Sequence, residues 1–166
     1  MNSKEFKDNS ISRLLFRAAD QWPDKPAITF SGATQSWLET RNRCHAAATL
    51  FHRLGVGTGD RVAYLGLNSN VCFESYYSPA LIGAIYVPIN HRLSIREMVE
   101  CIEDCTPKIL IVDENFIEQA GHLLKVCASL KGVLCAAQSD LMESWNSYEK
   151  GVQEVSSSGK YCDLLP

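Results

Sequence analysis

Four short apolar segments recur through the middle of the chain at an almost fixed interval. That rhythm constrains the fold more than any other feature. The segments begin near Arg61 (Arg-Val-Ala-Tyr-Leu-Gly-Leu), Ala84 (Ala-Ile-Tyr-Val-Pro), Lys108 (Lys-Ile-Leu-Ile-Val) and Gly132 (Gly-Val-Leu-Cys-Ala-Ala), at intervals of 23, 24 and 24 residues. Each gap holds one helix-length stretch, about 70–83, 95–105 and 114–129. A strand, a helix and a second strand at this spacing form a right-handed crossover, which makes the strands parallel. The strands are apolar throughout rather than alternating, so both faces of the sheet need cover. The expected fold class is α/β, a mostly parallel sheet flanked by helices on both faces.

The flanks of this region carry their own signals. Ile11, Leu14, Leu15, Ala18, Ala19 and Trp22 make one apolar helical stripe, with Ser10 as N-cap and Pro23 as stop. Pro26–Phe30 reads as a strand and Ser31-Gly32 as a turn. Ser36-Trp-Leu-Glu39 has the spacing of a capping box. The helix it opens turns Trp37, Cys44, Ala47, Ala48, Phe51 and Leu54 inward and ends at Gly55. Ser94-Ile-Arg-Glu97 is a second capping box, opening a helix with Ile95, Met98, Val99, Ile102 and Cys105 inward. Pro79 falls inside the 70–83 stretch; an interior proline costs about 3 kcal/mol, so a kink or break is expected there. Three regions follow: a frayed N-terminus over 1–9, an α/β unit over 10–137, and an irregular, polar C-terminal tail over 138–166.

Composition excludes several classes. Of 166 residues, 46% are hydrophobic and 21% charged, which rules out a wholly disordered chain. The net charge is −3, and no basic stripe is present, so nucleic acid is not an expected partner. The longest mostly apolar run, Pro79 to Ile89, is far short of the ~20 residues that cross a bilayer. The charged N-terminus has no secretory pattern. Seven cysteines, odd in number, irregular in spacing and mostly in apolar stretches, then read as reduced core thiols of an intracellular protein. These features imply a cytoplasmic protein; a peroxisomal or peripheral-membrane location stays open.

Most chemistry-bearing patterns have a structural reading. Gly55-Val-Gly57-Thr-Gly59 follows a helix and opens a strand, the reverse of a dinucleotide fingerprint, and reads as a tight turn. Ser156-Ser-Ser-Gly-Lys160 lacks the first Walker glycine, with Glu154 in its place, and reads as a linker. Cys101 and Cys105 share a helix but have no further ligands at zinc spacing, so no metal site is assigned. His45 and His52 lie mostly off the apolar stripe and read as solvated. No nucleophile, base and orienter can be assembled, so no catalytic residue is named. Open α/β sheets bind ligands just outside the C-terminal ends of their strands. Asn68, Ser69, Asn90, His91 and Arg92 lie at such ends and are the binding candidates; cap and turn roles are the alternative.

The ordered segments resemble the N-terminal part of adenylate-forming enzymes: acyl-CoA synthetases, luciferases and peptide-synthetase adenylation domains. The matching strings are Trp22-Pro-Asp-Lys-Pro-Ala-Ile28, Ser36-Trp-Leu-Glu39, Leu54 to Ala63, Leu67-Asn-Ser69, Gly83 to Asn90, Arg92-Leu93, Glu97 and Lys108 to Asp113. Order and spacing agree over roughly 11–113, and the Pro-Ile-Asn-His-Arg-Leu string looks most like fatty-acyl and related carboxylate–CoA ligases. The resemblance implies an enzyme that converts a carboxylic acid, a fatty acid above all, and MgATP to an acyl-adenylate and pyrophosphate, then to a CoA thioester. ATP, Mg and CoA are therefore implied for a full-length relative. The family's phosphate loop, acyl pocket and C-terminal lid lie further along, and Tyr161-Cys-Asp-Leu-Leu165 resembles the stretch shortly before that loop. The expectation is an N-terminal fragment, inactive alone, with no cofactor of its own. The alternative is a non-catalytic interaction protein derived from such a ligase, associating with itself or a relative through an exposed sheet edge. A free-standing dinucleotide domain is a third possibility.

Overall fold

In the computed structural model, residues 11–136 and 145–164 are described. The chain opens with α1 (Ile11–Gln21), the antiparallel hairpin β1 (Pro26–Phe30) and β2 (Ala33–Ser36), and α2 (Trp37–Arg53). Then β3 (Arg61–Leu65), α3 (Asn70–Tyr77), β4 (Ile85–Ile89), α4 (Ile95–Cys105), β5 (Ile109–Val112), α5 (Ile117–Val126) and β6 (Gly132–Cys135) alternate. The short β7 (Asn146–Ser147) and α6 (Tyr148–Ser158) complete it. Five strands form one sheet in the order β4-β3-β5-β6-β7, every neighbouring pair parallel.

Side chains alternate across this sheet, and both sides are covered. Val62, Tyr64, Ile109, Ile111 and Leu134 face a layer built from α1, α2 and α6. Ala63, Leu65, Leu110, Val112 and Val133 face α4 and α5, through Met98, Ile102, Ala120 and Leu123. This two-sided burial is the reason the strands carry no polar alternation.

Local chemistry sets the element ends. Ser36 Oγ accepts from the Glu39 amide at 3.2 Å while the Glu39 carboxylate accepts from the Ser36 amide at 2.7 Å; Ser94 and Glu97 repeat the arrangement. Such caps contribute about 1 kcal/mol each. Ser31 and Gly32 both sit at positive φ, the geometry of a two-residue hairpin turn. The proline break falls as expected. α3 stops at Tyr77, and Pro79 opens a 3-10 turn, Pro79–Ile82, where its missing amide has no helical partner to lose.

The glycine run after α2 is a turn at the N-terminal end of the sheet. Asp60 Oδ2 accepts from the Gly57 amide at 2.8 Å and from Lys108 Nζ at 2.7 Å, and Lys108 also donates to the Gly55 carbonyl. Arg61 donates to the carbonyls of Gly59, Cys105 and Thr106. Lys108, and then the Gly57 amide, hold the Asp60 carboxyl below the usual carboxylate range.

The tail departs from expectation. Within 145–164 it contains α6, capped by Ser147 and ended by Gly159 at φ +63°. Tyr148, Val152 and Val155 supply a buried stripe at helical spacing inside a polar run. Gly151 lets α6 close on α2, because a Cβ there would lie 2.7 Å from a Leu50 methyl. Ser156 and Ser158 donate back to the Val152 and Val155 carbonyls, which satisfies hydroxyls inside a helix. The expected fraying over 1–9, the Ser10 cap and the start of the tail lie outside the described residues.

Candidate binding cleft

In sequence β3 is the first strand of the sheet, yet in space it is second. The chain places β4 on one flank of β3 and then crosses to place β5 on the other. The turns leaving β3 and β5 therefore diverge, which opens a crevice at the C-terminal ends of these strands. A cleft of about 800 Å³ lies there. The β1–β2 hairpin walls one side with Ile28, Phe30 and Gln35; Leu67–Val71 and Asp113–Asn115 wall the other; Arg43 and Glu149 close the base.

The floor is locked from two directions. Tyr64 Oη donates to the Leu67 carbonyl at 2.8 Å and lies 3.2 Å from Ser69 Oγ. Asp113 accepts from the Leu67 amide at 2.5 Å with one oxygen and from the Asn115 amide at 2.8 Å with the other. Gly66 makes the close approach feasible: a Cβ would sit 2.7 Å from both Asp113 Oδ2 and Tyr64 Oη. Ser69 Oγ caps α3 by accepting from the Cys72 amide at 3.1 Å. Burial pushes the Tyr64 hydroxyl well above its ordinary value, so it stays a neutral donor.

Arg43 anchors the base. Its Nε and Nη2 donate to Glu74 at 2.5 and 3.1 Å, and its Nη1 and Nη2 donate to Glu149 at 3.0 and 2.7 Å. Tyr148 Oη donates to Glu74 at 2.9 Å, and Glu74 and Tyr148 are fully buried. Burial opposes the charge on Arg43, but the two carboxylates outweigh it and hold the guanidinium protonated. Burial pushes the Glu74 carboxyl up, against the pull of Arg43 and Tyr148.

The arrangement can hold a ligand by hydrogen bonds; among the described residues Ser69 Oγ is bonded to Tyr64 and the Cys72 amide, neither of them a base that would make it a nucleophile. The charged lining is Asp113, Glu114 and Glu149 against Arg43, whose Nε, Nη1 and Nη2 already donate to Glu74 and Glu149. That set does not fit a triphosphate. Among the described residues, no group of three His, Cys, Asp or Glu side chains is placed to hold a metal ion. No helix among them is long and apolar enough to cross a membrane.

Of the sequence candidates, Asn68 and Ser69 line the cleft. Asn90, His91 and Arg92 lie at the end of β4 and are not part of its lining. Asn90 Oδ1 accepts from the Arg92 amide at 3.0 Å, a local turn, and the His91 ring packs 5.6 Å from Phe116. Asp113 and Asn115 were missed, although they follow β5 as Asn68 follows β3. Arg43 and Glu149 gave no signal, since each lies within the first two turns of a helix and pairs with residues far away in sequence. His45 also departs from expectation: it is half-buried and packs against Tyr161, 4.4 Å between ring centroids.

Comparison with known proteins gives a consistent picture. The model of a family described as AMP-binding enzyme matches residues 15–161. A feruloyl-CoA synthase from an Amycolatopsis species is 33% identical over 139 residues, which cover 81% of this chain and 28% of that protein. The indoleacetate–CoA ligase of Aromatoleum aromaticum is 30% identical over 139 residues, 84% of this chain and 27% of that protein. The chain thus spans little more than a quarter of these curated relatives. Among solved structures, a Mycobacterium tuberculosis fatty acyl CoA synthetase superposes with a TM-score of 0.78 at 22% identity, over 89% of this chain and 28% of that one.

Proposed function

Because the chain belongs to the AMP-binding enzyme family, we propose that it is the N-terminal part of an ATP-dependent carboxylate–CoA ligase. The observation that carries this is the family match over residues 15–161. The reaction is activation of a carboxylic acid to an acyl-adenylate, with release of pyrophosphate, followed by thioester formation with CoA. The acid is a fatty or an aryl carboxylic acid; relatives act on indoleacetate and on feruloyl substrates by name. MgATP and CoA serve the longer polypeptide. No step is routed through them here, because the cleft in this chain does not suit a triphosphate. The cytoplasm is the proposed compartment.

The isolated 166-residue chain is inactive in this reading. The test is ATP–pyrophosphate exchange with a panel of carboxylic acids. No exchange is expected from the chain alone; exchange with any acid overturns the inactivity. The alternative, a non-catalytic partner that associates through an open sheet edge, has less support at β4. Pro88 has no amide to give an added strand there. A monodisperse monomer on sizing counts against that alternative.

A further inference from the structure

We propose that His45, Thr49 and Arg53 on α2 form a positioning device, which fixes the register and exit direction of the segment 160–164 and, through it, the catalytic geometry of the polypeptide that follows. The catalytic half of this inference rests on the ligase reading above. The three residues stand at i, i+4 and i+8, one row along a helix face. Each is bonded to the backbone of the extended segment. Arg53 Nη2 donates to the Lys160 carbonyl at 2.9 Å. Thr49 Oγ1 accepts from the Cys162 amide at 3.1 Å. His45 Nε2 lies 3.2 Å from the Cys162 carbonyl, which only accepts, so this nitrogen carries the hydrogen.

Two features make this a register rather than a loose contact. Thr49 is buried, and its hydroxyl can in turn donate to the His45 carbonyl at 3.0 Å. No strand ladder holds the segment; side chains of a helix do. A slip by one residue would remove the Cys162 amide from Thr49 and the Tyr161 ring from His45 together. Cys162 and Leu164 pack on the core beneath, so the segment is seated as well as tied. Activation of a carboxylate needs its reacting groups aligned to a fraction of an ångström, and a displacement of about 1 Å can lower a rate 100-fold.

The test uses the intact polypeptide from its source, MgATP, labelled pyrophosphate, and indoleacetate, ferulate and fatty acids as carboxylates. Thr49→Val removes the acceptor at nearly constant volume. The expected result is a fall in exchange kcat of about 10- to 100-fold, with KM for ATP and acid nearly unchanged. Thr49→Ser, which keeps the hydroxyl, restores the rate. Arg53→Ala, at an exposed position that cannot unfold the core, gives a smaller fall in the same parameter. Hydrogen exchange at the Cys162 amide reports whether the tie is broken. Lost protection at Cys162 with an unchanged kcat overturns the inference and leaves the ligase reading intact. Absence of exchange in the unsubstituted polypeptide overturns the reading, and the inference with it.

Discussion

The two faces of the sheet are closed in different ways. Under α4 and α5 the contact is apolar throughout: Leu65, Leu110, Val112 and Val133 meet Met98, Ile102 and Leu123. Under α2 and α6 an apolar layer is joined by a charged cluster, with Arg43 from α2, Glu74 from α3, and Tyr148 and Glu149 from α6. The first face can be assembled from any side chains of suitable size. The second requires particular partners from three helices, because the buried Glu74 carboxylate is satisfied by Arg43 and Tyr148. The cleft opens beside the second face, with Arg43 and Glu149 at its base. Specific pairing is thus concentrated where a ligand or a neighbouring part of the polypeptide would be received.

The largest expected effect comes from breaking the charged cluster. Arg43→Ala leaves Glu74 buried without its cation and should cost about 3–5 kcal/mol. Denaturant unfolding of the 166-residue chain measures it; a loss below about 1 kcal/mol would contradict the distinction between the faces. On the apolar face, Leu110→Ala should cost about 2–5 kcal/mol through lost contacts and a cavity. Leu110→Met, of similar volume, should cost under about 1.5 kcal/mol. The charged face should not tolerate a shape-conserving exchange in this way: Tyr148→Phe keeps the ring but removes a donor from buried Glu74, at about 1–3 kcal/mol.

The smallest effect belongs to the turn end of the sheet. Lys108 and the Gly57 amide depress the Asp60 carboxyl in the folded state. A depressed folded value means that Asp60 stabilises the fold above its unfolded value near pH 3.9. That contribution is lost as the pH falls through the folded value. Asp60→Asn should therefore lower Tm slightly at neutral pH and flatten its decline in acid. An acid limb identical to that of the unsubstituted chain would show that the pair contributes nothing.

The same contrast explains what was legible in the sequence. The apolar face could be read because α4 announces itself, with a capping box at Ser94 and an inward stripe through Met98 and Ile102. The parallel strands were legible for a related reason: two-sided burial leaves them uninterrupted by polar residues. The charged face was not. Tyr148 and Glu149 lie 74 and 106 positions from their partners Glu74 and Arg43, and no local periodicity reports such a pairing. The Ser-Ser-Ser run hid α6, since serine favours turns unless its hydroxyl bonds back to the helix, as Ser156 does here. One wall of the candidate cleft was reached in part by the rule that strands present ligands at their C-terminal ends. That rule found Asn68 and Ser69, and extended to β4 it also selected Asn90, His91 and Arg92, which the cleft does not use.

The central claim, that this fold is one part of a carboxylate–CoA ligase, meets its most direct test in the intact mass of the native polypeptide from its source cells. The account predicts a mass several-fold above 18.5 kDa, because the chain spans only 27–28% of its ligase relatives. A native mass of 18.5 kDa would contradict it.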